Sequence, residues 1–193
     1  MNPKINLGGG TAFVFFVVIR SGKMRSDPET RSTAAIHPLD VMRQTLTAME
    51  IPFQEDDGML CTRIALKNLE VHVLAWGYPD DLAKVVVRLP VRAAKKFRAA
   101  AGEFLHRLNC DSRRKLWEID YDDGEIRLSC FTDTLVGPLT DSLFRALLNS
   151  QVEAADLAFP YLTSVLSGRM SPEFAADQAQ AAVQAGWAKE GEE

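Results

Sequence analysis

The chain is poor in the groups that catalysis is usually built from. Its three histidines and three cysteines are scattered over 193 residues, and none falls at a metal-ligand spacing. His37, His72 and His106 stand on a helix start, a strand and a helix face in the pattern read below. No Ser or Cys motif lies beside any of them, so general-base chemistry near neutral pH has no candidate. Cys61, Cys110 and Cys130 are odd in number, and two of them sit inside strand patterns. They read as mostly buried thiols of a reducing compartment, not as a disulfide framework. Positive charge is also short: 22 Lys and Arg stand against 26 Asp and Glu, a net charge of −4. That balance argues against a chain whose main work is gripping phosphate backbones.

Gly8, Gly9 and Gly10 lack the Gly-Lys-Ser/Thr continuation of a phosphate loop. Asp120, Asp122, Asp123 and Gly124 faintly resemble an acidic calcium loop, but strand pattern stands where the bidentate carboxylate should follow, so they read as a hairpin turn. The apolar stretch over 11–19 is too short to span a bilayer. Its length would allow a signal h-region, yet glycines precede it and Arg20 and Lys23 follow where a small-residue cleavage site belongs. The preferred reading is an extension before a true start at Met24.

What the chain does have is centred on residues 91–131. Ala93, Phe97, Ala100, Ala101, Phe104, Leu105 and Leu108 fall on one stripe at helical spacing. Arg92, Lys95, Lys96 and His106 fall opposite, which predicts an amphipathic helix over 92–109. A hairpin over 116–131 follows. With Asp123 and Gly124 as a two-residue turn, Trp117 would face Cys130, Ile119 would face Leu128 and Tyr121 would face Ile126, leaving one face wholly apolar. Glu118 would then meet Ser129, and Asp120 would meet Arg127.

Taken in order, residues 25–35 read as a flexible lead-in. A first helix opens near Pro38 with Leu39, Met42, Leu46 and Met49 on one side and ends before Pro52, with His37 a surface residue ahead of it. A short extended piece over 53–55 and a turn at Asp57 and Gly58 come next. Lys67 and Asn68 make a two-residue turn that sets Ile64 opposite Val71 and Thr62 opposite Val73, with Arg63 and His72 together on the other face. A third strand over 84–89 is stopped by Pro90. After the central helix and hairpin, Thr140 caps a long helix that Pro160 should kink or divide, and Gly168 ends it. Ser171 and Pro172 open a last, alanine-rich helix with little to bury, expected to be weakly held.

The class is therefore α+β, in the order α-β-β-β-α-β-β-α, with a largely antiparallel sheet packed by helices and an added C-terminal helix. Three regions are expected: an extension over 1–35, the α+β domain over 36–168, and a helix with an acidic tail over 169–193.

At this point the sequence resembles a known family, the YbjN-type proteins, described as bacterial sensory-transduction regulators. The residues that carry the likeness are Lys84-Val-Val-Val-Arg-Leu-Pro90, Phe104-Leu-His-Arg-Leu-Asn109, Leu116-Trp-Glu-Ile-Asp-Tyr-Asp-Asp-Gly-Glu-Ile-Arg-Leu128 and the long helix over 139–166. The resemblance covers residues 38–168. It implies a fold like that of the type III secretion chaperones, which dimerise and hold an extended client segment. It also implies a binding module with no catalytic residue, metal or cofactor to carry over.

The leading expectation is accordingly a cytoplasmic, non-catalytic regulator or chaperone-like adaptor, a homodimer that binds a protein partner. One alternative is a small-molecule sensor or enzyme whose pocket lies between sheet and helices, with Arg63, His72 and Trp76 as its polar and aromatic groups. Another is nucleic-acid binding through the basic face of Arg92, Lys95, Lys96 and Arg98, with Arg113, Arg114 and Lys115 at its far end. No aromatic residues are interleaved there to stack on bases, and a solvated helix face is the plainer account of those charges.

Overall fold

The computed structural model describes residues 37–78, 82–110, 115–134 and 137–190, with 186–190 described as backbone. The apolar stretch over 11–19, the choice of Met24, the lead-in over 25–35, Arg113, Arg114 and the acidic end of the tail lie outside the described residues.

The elements are α1 (Pro38–Ala48), β1 (Gln54–Asp56), β2 (Met59–Ala65), β3 (Glu70–Gly77), β4 (Leu82–Arg92), a 3₁₀ turn (Lys95–Phe97), α2 (Arg98–Cys110), β5 (Leu116–Ile119), β6 (Glu125–Asp133), α3 (Asp141–Leu166) and α4 (Pro172–Glu190). The strands form one six-stranded sheet in the order β1-β2-β3-β4-β6-β5, and every pairing is antiparallel. The α+β class follows directly from these elements.

Period-two alternation gives the sheet two unlike faces. Val71, Val73 and Ala75 of β3, Val85 and Val87 of β4, and Ile126, Leu128 and Cys130 of β6 join Met42, Leu46, Phe104, Phe144, Leu148 and Leu162 from α1, α2 and α3 in one core. The helices thus lie on a single side. Gln151 of α3, fully buried, adds a polar tie: oriented by its hydrogen bonds, its amide donates to Leu128 O at 2.9 Å and accepts from Cys130 N at 3.0 Å.

The β2–β3 hairpin has the register that its sequence predicts, with Ile64 opposite Val71 and Thr62 opposite Val73. The β5–β6 hairpin does not. Trp117 faces Leu128 and Ile119 faces Ile126, a shift of two residues from the expected partners. The reason is the turn. Asp120 N donates to Glu125 O at 2.9 Å, Gly124 N donates to Asp120 O at 2.8 Å, and the Asp120 and Asp123 carboxylates accept from Asp122 N and Glu125 N, each at 2.8 Å. Side chains that satisfy the turn's own amides favour a loop over 121–124 in place of a two-residue turn, and they leave Tyr121 exposed. An even shift leaves every side chain on its original face.

Pro90 does not end β4, which continues to Arg92 across irregular pairing between Arg88 and Arg92. A residue without an N–H fits such a break in the ladder. The following helix consequently begins later than its apolar stripe suggests, with a 3₁₀ turn at Lys95 and α-helix from Arg98.

Pro160 does not divide α3, which runs unbroken from Asp141 to Leu166. Proline removes the N–H that should reach the Asp156 carbonyl, and the β2–β3 turn supplies another: Asn68 Nδ2 donates to Asp156 O at 3.1 Å. The last helix is also better held than its composition suggests. Ala175, Ala176 and Ala179 are at most 1% exposed, since small side chains let α4 approach α2 and α3 closely. Gln180 Nε2 donates to Arg107 O at 3.1 Å, occupying one of the carbonyls that the end of α2 leaves without a helical partner.

Candidate functional site

The face of the sheet turned away from α1, α2 and α3 carries three rows of side chains, set by the register. The middle row runs Cys61, Leu74, Val86, Ser129, Leu116 from β2 to β5. On one side of it runs Met59, Trp76, Lys84, Phe131. On the other runs Arg63, His72, Arg88, Arg127, Glu118. Leu74 and Val86 are buried but stand outside the main core, while Phe131 is 61% and Leu116 46% exposed. The surface is thus an apolar strip with large hydrophobic side chains at its rim.

The arginines of the charged row are paired with acids, most of them from outside the row. Arg88 and Arg127 face one another across β4 and β6, a like-charge pairing that costs stability unless it is compensated. Arg88 lies 3.4 Å from Glu125, and Arg127 lies 3.1 Å from Glu118. Burial works against the Glu118 charge, but the Ser129 hydroxyl, which donates to it at 2.5 Å, and Arg127 outweigh this and hold its carboxyl below the usual range. Arg63 Nε donates to His72 Nε2 at 2.6 Å, and Arg63 lies 3.8 Å from Glu70.

Arg63, His72 and Trp76 therefore share the open face, in the outer rows and not in one pocket. Parity turns Arg63 and His72 away from the space between sheet and helices, because Val71, Val73 and Ala75 take the inward positions of β3, while Trp76, at the strand's end, reaches the α1 corner.

Both sheet edges are blunted. At β5, Trp117 N donates to Asn109 Oδ1 at 2.7 Å and Asn109 Nδ2 donates to Trp117 O at 2.9 Å. One carboxamide at the end of α2 thus occupies both main-chain groups of Trp117 that an added strand would need. The other edge, β1, is three residues long and wholly exposed. It consists of Gln54, Glu55 and Asp56, with Glu55 held by Arg43 at 3.0 Å. A short, charged edge is a poor template for a further strand.

The basic cluster read from the sequence is largely used within the fold. Arg92 pairs with Asp123 and lies 3.5 Å from Glu125. Arg98 donates to the carbonyls of Ala93, Tyr121 and Asp122 at 3.1, 2.7 and 3.1 Å, fastening the β5–β6 turn to the end of β4. Lys96 Nζ lies 4.7 Å from the Phe97 ring centre. Among the described residues, Lys95 alone of the four has no such contact.

A cleft of about 780 Å³ opens at the corner where the chain enters α1, lined by His37, Asp56, Asp57, Met59, Trp76 and Tyr78 among others. The sequence reading missed it, because its walls come from three separate elements. Gly77 brings them together: a Cβ there would stand 2.6 Å from Pro38 Cβ. His37, expected as a plain surface residue, caps α1, its Nδ1 accepting from Leu39 N at 3.1 Å. Trp76 Nε1 donates to the Tyr78 hydroxyl at 3.0 Å.

Burial pushes the Cys130 thiol up to about 11, far from a reactive thiolate. Among the described residues, no three His, Cys, Asp or Glu side chains come together to hold a metal, and no helix is long and apolar enough to cross a membrane.

No family model matches the chain. No curated protein matches it. Among solved structures, it is similar to the crystal structure of YbjN, a "putative transcription regulator" from E. coli, at 16% identity over 67% of this chain and 89% of that one, with a TM-score of 0.45.

Proposed function

We propose that this chain is a non-catalytic protein-binding module, a regulator or adaptor that holds its partner on the open face of the sheet. The observation that carries the reading is the unlike treatment of the two faces. One is filled by α1, α2 and α3; the other presents Leu74, Trp76, Val86, Leu116 and Phe131 beside an ion-paired row. Large apolar side chains exposed beside a polar row, here Leu116 and Phe131 flanking the buried Leu74 and Val86, are a usual form of a protein contact. Partner binding by an added strand is the weaker alternative, because both edges are blunted. The nucleic-acid alternative loses Arg92 and Arg98 to internal bonds.

The test compares the full chain with Phe131→Asp and Leu116→Asp, both at exposed positions where a charge leaves the fold intact, as circular dichroism would verify. A protein retained from native-host extract by the parent and lost by both variants supports the reading. Equal retention by all three contradicts it. If light scattering shows a dimer that either variant dissociates, the face belongs to a second copy of the chain.

A further inference from the structure

The cleft at the α1 corner and the open face are continuous, because Met59 and Trp76 belong to both. Their charges differ. The arginines of the face are each paired with an acid, Arg63 with Glu70, Arg88 with Glu125 and Arg127 with Glu118, whereas the cleft wall carries Asp56 and Asp57, and among the described residues neither carboxylate is ion-paired. The one imidazole on the wall, His37, already has its Nδ1 engaged with Leu39 N. Trp76 and Tyr78 add two aromatic side chains to the lining, beside Leu39 and Met59. Trp76 is half-buried and held by its bond to the Tyr78 hydroxyl, and it already lies 5.7 Å from the ammonium of Lys84. The pairing of carboxylates with aromatic side chains on one wall selects an organic cation: the carboxylates attract the charge, and the aromatic and apolar lining takes the stem.

We propose that this cleft receives a lysine or arginine side chain of the protein partner, while the apolar residues of the same segment lie on the adjoining Met59–Trp76–Phe131 row. The inference rests on the adaptor reading above and deepens it by naming the partner's chemistry. The occupant is a basic-apolar segment. An acidic one would meet Asp56 and Asp57 with like charge, and a wholly apolar one would leave those carboxylates desolvated without a partner. The volume suits a long side chain and falls in the range of ordinary ligand clefts.

The experiment uses the full chain with n-butylguanidinium and n-butylammonium as probes, and butyrate and n-butanol as controls, followed by the indole N–H resonance of Trp76, assigned with Trp76→Phe. The cations are expected to move that resonance saturably, and the controls are not. Asp56→Asn and Asp57→Asn, both at exposed positions, should each weaken the cation about fivefold, since a partly exposed charge contact is worth up to about 1 kcal/mol. A Trp76 resonance that ignores both cations, or moves equally with butanol, overturns the proposal.

A second arm separates the two levels. In the extract assay, Asp56→Asn together with Asp57→Asn should reduce partner retention as Phe131→Asp does. Retention that is lost with Phe131→Asp but unchanged in the double Asn variant overturns the basic-residue proposal and leaves the adaptor reading standing. Retention unchanged in both overturns both.

Discussion

Asn68, in the β2–β3 turn, donates its side-chain amide to the main-chain oxygen of Asp156 in α3, at 3.1 Å. That oxygen is the one left without a helical donor by Pro160, four residues on. Two further bonds tie the pair, from Asn68 N to Asp156 Oδ1 at 2.7 Å and from Asn68 Nδ2 to Oδ2 at 3.2 Å. The proline and the turn are thus complementary features of distant segments. The turn satisfies the defect in the helix, and the helix fixes the turn.

Asn68→Ala is expected to destabilise the protein by about 1 kcal/mol, the typical net worth of such bonds. The cost should shrink in a Pro160→Ala background, where Asp156 O regains a helical partner. A double-mutant cycle by urea denaturation should give a coupling of about 0.5 kcal/mol or more, and additivity would refute the pairing.

Asn109→Ala removes both bonds to Trp117 and opens the β5 edge. The expected loss is about 1–2 kcal/mol, accompanied by concentration-dependent association as the freed main-chain groups find another strand. Sedimentation of the variant at increasing concentration checks this. A destabilised variant that stays monodisperse would mean that the edge is protected in another way.

Two glycines with similar backbones should respond differently. Gly58 has φ +72° with open space where a Cβ would go, whereas at Gly124, φ +80°, the Cβ would stand 2.2 Å from Ala93 O. Gly58→Ala should cost about 1–2 kcal/mol of left-handed strain alone. Gly124→Ala should cost more, because main chain would have to move. Equal thermal shifts for the two variants would contradict the close approach of the β5–β6 turn to β4.

Cys130 gives a pH dependence of definite sign. Its thiol is raised from 9.0 to about 11 in the fold by burial, so the folded chain binds the proton more tightly than the unfolded one. The stability tied to this group is complete below pH 9 and is lost as pH rises toward 11, by about 3 kcal/mol at most. Cys130→Val should flatten that decline in denaturation measured across this range. At pH 8 a thiol reagent should modify exposed Cys110 well before buried Cys130.

Much of the fold is legible because it rests on local patterns. The Lys67–Asn68 turn, the Pro38 helix start, the Thr140 cap and the side-chain parity of each strand are all set by residues within a few positions of one another. What the sequence reading misplaced depends on distant partners or, in the β5–β6 turn, on carboxylates that bind amides two residues away. The β5–β6 register is set by Asp carboxylates that bind the turn's own amides and by the contact of Gly124 with Ala93. The continuity of α3 through Pro160 depends on Asn68, far away in sequence. The alanine helix finds its partners in α2 and α3. The same limit applies to the site. The pairing of Arg63 with His72 follows from parity, but that the described helices α1, α2 and α3 pack on the opposite face depends on distant contacts. The basic residues Arg92 and Arg98 looked free only because their acceptors lie in another turn.

The most direct test of the central claim is site-specific photo-cross-linking in native-host cells, with p-benzoylphenylalanine placed in the full chain at Phe131 on the open face or at Phe174 on α4. The two positions are matched in exposure, at 61% and 53%. A discrete adduct at position 131 that is missing at 174 is the predicted result. An adduct at 174 with none at 131 would place the binding surface on the helices and contradict the account.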